Sequence, residues 1–209
     1  MAAAGRLIVL DSETQRLVGR KEFEDRGLML LGIHLSSFDF VLRWLCQQGI
    51  RPMVLTVPDA RGGRRTEFEM RRAAGMNLVP ATVGGLRLAI RHLKGGGAVL
   101  TGIDRPILRP RLLPRFFGRP AALPVHPIIL AMRARVPIAV VAATLAPDGK
   151  YHVEVSEMIE PKGDPRNETD TLRNAEAVLR VAEAFIRRAP QQWSVPLAVW
   201  PSAVELAPQ

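Results

Sequence analysis

Short apolar runs that stop at polar turns alternate with segments of helical period along most of this chain. That alternation restricts the possible folds more than any other feature. Leu28 to Ile33 and Met53 to Val57 read as buried strands, the second stopped by Pro58, with Asn77 to Val79 and Ala98 to Ile103 as further strands. Between them, Phe38 to Gln48 has helical spacing, with Ser36 or Ser37 as its N-cap and Gly49 as its stop. Arg64 to Ala74 reads as a charged helix, and Gly85 to Lys94 as a helix ended by three glycines. Leu123 to Arg135 reads as a helix with Pro124 and Pro127 near its start. Ile138 to Leu145 and Tyr151 to Val155 form a hairpin around Pro147-Asp148-Gly149, and Glu168 to Arg188 is a long amphipathic helix.

Strands separated by helices predict an α/β fold, a mostly parallel central sheet flanked by helices in a single domain over residues 1–209. Residues 1–26 are a lead-in, and residues 105–127 a basic loop rich in proline and arginine. In such sheets sites form at the carboxyl ends of strands. His34 follows one strand and Asp104 another, which puts both on one edge.

With 47% hydrophobic residues the chain can bury a substantial core. The single cysteine, Cys46, excludes an internal disulfide and sits in an apolar run as a core residue. Against 20 Asp and Glu stand 29 Lys and Arg, a net charge of +9 that attracts either nucleic acid or an anionic bilayer. Only 5% of residues are aromatic, thin for a single-strand binder built on stacking. No apolar stretch approaches the roughly 20 residues that span a bilayer. The start is too short in apolar residues for a signal peptide. A cytoplasmic protein that touches a membrane is the expectation.

Gly32-Ile33-His34-Leu35-Ser36-Ser37-Phe38-Asp39 is the sharpest local signal. A histidine leaves a strand, and a carboxylate follows in the first turn of a helix. Folded back, Asp39 would fix the tautomer of His34 and stabilise the imidazolium formed when the histidine takes a proton. The plain alternative is an acid capping the helix. Five arginines (Arg105, Arg109, Arg111, Arg115, Arg119) and six prolines lie between residues 105 and 127. Arginine forks suit phosphate oxygens. A clamp for a head group or for the phosphates of a carrier, a membrane-dipping loop carrying Ile107, Leu108, Leu112, Leu113, Phe116 and Phe117, and a solvated connection are all open. His126 reads as structural, and His92 and His152 as surface residues. No His, Asp and Glu grouping has metal-ligand spacing, so no metal is expected.

These residues also carry a family pattern. A histidine, four residues and an acid resemble the signature of the lysophospholipid acyltransferase superfamily. The closer likeness is to its bacterial branch of lipid A lauroyl and myristoyl acyltransferases. Lys94 to Leu100 followed by Asp104, Arg115 to Ala121, Leu130 to Val140, and Ile186 to Trp193 resemble further elements of that branch, in the same order. The resemblance runs from about Gly27 to Pro201. It implies an O-acyltransferase that moves a fatty acyl group from an acyl thioester, on acyl carrier protein or coenzyme A, to a hydroxyl of a lyso-lipid or glycolipid. His34 and Asp39 would be the catalytic pair. Arg64, Arg65, Asp104, Arg105, Arg115 and Arg119 would bind substrate, and no cofactor would be needed. Its partners would be the carrier, the lipid acceptor and an anionic membrane surface, without nucleic acid, at the inner face of the cell membrane. An esterase-like hydrolase, a basic nucleic-acid-binding domain and an inactive lipid-binding member are the rival expectations.

Overall fold

The computed structural model describes residues 6–12, 14–15, 26–36, 38–49, 51–58 and 63–201, with the backbone alone at Arg64. Ser37, Arg61 and most of the lead-in lie outside the described residues.

A seven-stranded sheet forms the centre. Its strands are β1 (Ile8–Leu10), β2 (Leu28–Gly32), β3 (Met53–Thr56), β4 (Asn77–Pro80), β5 (Ala98–Gly102), β8 (Ile138–Leu145) and β9 (Tyr151–Val155), in the order β1-β9-β8-β2-β5-β3-β4. A small antiparallel pair, β6 (Arg115–Phe116) and β7 (Arg119–Pro120), stands apart. The helices are α1 (Phe38–Gln47), α2 (Gly63–Ala73), α3 (Val83–Lys94), α4 (His126–Ala134) and α5 (Glu168–Arg188). All pairings in the main sheet are parallel except that of β8 with β9. The chain is thus the expected single α/β domain with a mostly parallel sheet flanked by helices.

Alternation along each strand divides the core. Met29 and Leu31 of β2, Leu55 of β3, Val99 of β5, and Ile138, Val140 and Ala142 of β8 face one side. There they meet α3, α4 and the inner stripe of α5, Ala175, Val178, Leu179, Ala182 and Ile186. Each fully buried Leu, Ile, Val or Met among them contributes about 1.5–3 kcal/mol. The intervening residues Val54, Val141 and Ala143 face the other side, under α1. Cys46 lies there with Leu42 and Met76, and burial pushes its thiol above the ordinary value. It is a core residue.

The elements begin and end for visible chemical reasons. Thr82 caps α3 by accepting from the Gly85 amide, and Asn167 caps α5 by accepting from that of Asp170. Glu168 and Asp170 occupy the first turn of α5, Arg187 and Arg188 its last, each sign opposing the helix dipole. Helix α4 starts at His126 rather than Leu123, with Pro127 in the first turn where its missing N–H costs nothing. Within residues 105–127 the expected loop holds the β6–β7 pair, and within the lead-in β1 joins the sheet edge along β9.

Candidate active site

Parallel register builds the site. β2 and β5 are neighbours with Gly32 beside Gly102, so the residues two positions beyond each strand emerge side by side. Those residues are His34 and Asp104. Oδ1 of Asp104 lies 2.5 Å from Nδ1 of His34. Oδ2 accepts from the backbone N–H of His34 at 2.8 Å and from the indole Nε1–H of Trp193 at 2.9 Å. Asp104 is wholly buried, where a carboxylate is tolerated only when paired and hydrogen-bonded. With Nδ1 committed to the carboxylate, Nε2 is the free nitrogen and has no hydrogen-bond partner among the described residues.

The imidazole is held on its faces as well. Phe38 meets it edge-on with ring centroids 4.8 Å apart. On another side it packs against Gly102, where a side chain would collide with it: a Cβ there would stand 2.8 Å from Cε1.

The expected partner, Asp39, is elsewhere. Both of its oxygens accept from Arg71 on α2, Oδ1 from Nε and Oδ2 from Nη2, each at 2.9 Å. Arg71 also pairs with Glu67 and stacks over Phe68. Asp39 therefore fastens α1 to α2. The correction has a topological cause: Asp104 arrives beside Nδ1 on the adjacent strand, whereas Asp39 lies one residue into a helix whose near neighbour is α2. Asp104, expected among the substrate-binding residues, instead holds the histidine.

A cavity of about 660 Å³ opens beside His34, between the sheet and α1. Leu30, Leu42, Val54, Leu100, Val141 and Ala143 give it apolar walls. Three of its lining residues, Val57, Ile107 and Leu197, are also exposed large apolar side chains and mark its mouth. Arg105 and His126 line it too. Burial lowers the pKa of His126 below the ordinary value of 6.5.

Three of the expected substrate-binding arginines, Arg65, Arg115 and Arg119, do not line this cavity. Arg65 pairs with Glu69 along the exposed face of α2. Arg115 donates to the Gly118 carbonyl within the β6–β7 turn, and the Arg119 guanidinium lies over the Trp200 ring, 5.8 Å from its centroid. The side chain of Arg64 lies outside the described residues. Arg111 pairs with Glu168. Among the described residues, no group of three or more His, Cys, Asp and Glu side chains could hold a metal ion, and no helix is long and apolar enough to cross a membrane.

Trp193 is the site residue that reading the residues one by one passes over. Its only signal in the sequence is its place at the end of the Pro190-Gln191-Gln192-Trp193 segment.

The family model described as bacterial lipid A biosynthesis acyltransferase matches residues 10–200. No curated protein matches the chain.

Proposed function

Because the chain belongs to the bacterial lipid A biosynthesis acyltransferase family and is an acyltransferase, we propose that it carries a fatty acyl group from an acyl thioester to a lipid hydroxyl, with His34 as general base. The observation that carries this reading is the His34–Asp104 pair, with Nε2 unpartnered among the described residues and beside an apolar cavity. The donor is acyl carrier protein or coenzyme A thioester, and the acceptor a lyso-lipid or glycolipid.

In the proposed step the acyl chain lies in the cavity, and the acceptor oxygen attacks the thioester carbonyl carbon. Nε2 takes the hydroxyl proton as the new C–O bond forms, and the Asp104 carboxylate stabilises the resulting imidazolium. The tetrahedral intermediate collapses by breaking the C–S bond, and the imidazolium returns its proton to the leaving thiolate. The thioester supplies the activated carbonyl, so no protein nucleophile is needed. This suits a chain in which Cys46 is buried in the core.

An anionic membrane surface fits the mouth of the cavity. Val57, Ile107 and Leu197 expose apolar surface around it, and Leu108 projects nearly free, 96% exposed, between Arg105 and Arg109. Apolar tips flanked by cations suit an interface of acyl chains and anionic head groups.

The test is transfer from radiolabelled acyl-carrier-protein and acyl-coenzyme A donors to a panel of lyso-lipids and glycolipids, comparing wild type with His34→Ala. Labelled lipid formed by wild type and absent with the variant is the expected result. Labelled free fatty acid alone would point to a hydrolase, and no turnover to a lipid-binding protein.

A further inference from the structure

The indole of Trp193 touches the buried carboxylate rather than the cavity, and its backbone runs along the loop that carries His34. Leu35 and Trp193 form an isolated antiparallel bridge. The Ser36 amide donates to the Gln192 carbonyl at 3.0 Å, and the His34 carbonyl accepts from the Ser194 amide at 2.9 Å and from its hydroxyl at 3.1 Å. Gln192 is itself pinned to the end of β8: its Oε1 accepts from the Leu145 amide, and its Nε2 donates to the Leu145 carbonyl, both at 2.8 Å. Residues 192–194 are thus a strap fixed to one strand and laid across the exit of the next.

We propose that Trp193 is a positioning residue for the His34–Asp104 pair, acting through its indole N–H on Oδ2 of Asp104; this rests on the reading of His34 as base.

Without that bond, the carboxylate is held, among the described residues, by two donors from a single residue, the backbone N–H and Nδ1 of His34. Two bonds to one loop leave the carboxylate free to move with that loop. The indole brings a third anchor from a different part of the chain, so that the plane of the carboxylate is defined independently of His34. A buried carboxylate also needs its lone pairs satisfied, and a donor to a charged acceptor is worth more than one between neutral groups. The ring of Trp193 is fixed in turn by Phe116, Phe117 and Trp200, with centroids 5.9, 6.4 and 6.3 Å away. Trp200 provides the contrast. It sits in the same aromatic cluster, but its indole N–H donates to the Phe116 carbonyl at 3.0 Å and has no contact with the pair.

Trp193→Phe removes the N–H and keeps an aromatic ring in place, and Trp200→Phe makes the same chemical change beside it. For Trp193→Phe, kcat is expected to fall about tenfold to a hundredfold, the loss of one hydrogen bond to a charged group, with KM for the acyl donor changed less than about twofold. Trp200→Phe should leave kcat within about twofold. Adding Trp193→Phe to Asp104→Asn should cost little further, because both changes act at one carboxylate. A kcat equal to wild type for Trp193→Phe, or a loss that simply multiplies with that of Asp104→Asn, overturns the proposal. Should the wild type transfer nothing, the proton NMR resonance of His34 Nδ1–H reads the same geometry without turnover. It is expected to move or broaden in Trp193→Phe and not in Trp200→Phe, and an unchanged resonance in Trp193→Phe overturns the proposal while leaving the reaction a separate question.

Discussion

Gly102 and the His34 ring are packed so closely that the smallest side chain would not fit between them, since a Cβ at position 102 would lie 2.8 Å from Cε1. Gly102 ends a strand, and its backbone is not in the left-handed region, so alanine is compatible with the chain path. The conflict is with the imidazole alone. Gly102→Ala is therefore expected to push the ring off Asp104 and lower kcat at least tenfold, since displacements of about 1 Å at a reacting group cost up to about a hundredfold. Initial rates beside a thermal melt check this, and a large drop in rate with the melting temperature little changed is the expected pattern.

The two carboxylates near His34 should separate cleanly by mutation. Asp104→Asn replaces the acceptor on Nδ1 with an amide and is expected to lower kcat by about a thousandfold or more. Asp39→Asn weakens a part-buried bidentate pair with Arg71, which keeps Glu67 as a partner, and should lower stability while leaving the rate within about tenfold. Parallel kinetics and urea unfolding of the two variants make the comparison. The reverse order of effects would restore Asp39 as the partner of the histidine.

Much of this arrangement is legible in the sequence, and the parts that are not have identifiable reasons. Strand and helix periods mark each long element to within a few residues, and the rule for parallel sheets brings His34 and Asp104 to one edge. The choice between two carboxylates is not legible. Asp39 is near in sequence, Asp104 is near only because β5 pairs with β2, and strand order across a sheet leaves no trace in local spacing. The pairing of Asp39 with Arg71 is not legible either, because the two are 32 positions apart. β1 escapes notice as well, being three residues long at an edge.

Filling the cavity should change which donors are used. Ala143 lies on its wall, and Ala143→Phe adds a ring where there is open space. Rates with long acyl chains are expected to fall by tenfold or more relative to short ones, at similar kcat for the shortest donor. A series of thioesters of increasing chain length checks it, and a uniform loss across the series would place the acyl chain elsewhere.

His126 links stability to acidity. Its pKa in the folded protein lies below the unfolded value of 6.5 because burial disfavours the charged form. Between those two values the unfolded chain binds a proton that the folded one refuses. The contribution is complete above pH 6.5 and is lost as pH falls toward the lowered pKa, with a slope of at most about 1.4 kcal/mol per pH unit. Urea midpoints measured from pH 7.5 to pH 5 should fall less steeply in His126→Gln than in wild type.

Leu108 offers a test of the proposed membrane face. Leu108→Asp puts a negative charge at the most exposed large apolar side chain among the described residues and touches nothing in the core. Co-sedimentation with vesicles containing phosphatidylglycerol should fall several-fold, while turnover of a short soluble thioester stays at the wild-type level. Equal sedimentation of variant and wild type would remove this loop from the interface.

The strap over His34 also means that the site has no local version. Asp104 is bonded to His34 across 70 positions of sequence and to Trp193 across 89, so three distant stretches of chain meet at one carboxylate. A fragment that stops before the strap can still place the histidine and its carboxylate on neighbouring strands, but it lacks the indole that fixes them. A single cut between residues 104 and 193 that let the strap drift away would therefore blunt the pair without touching either of its members.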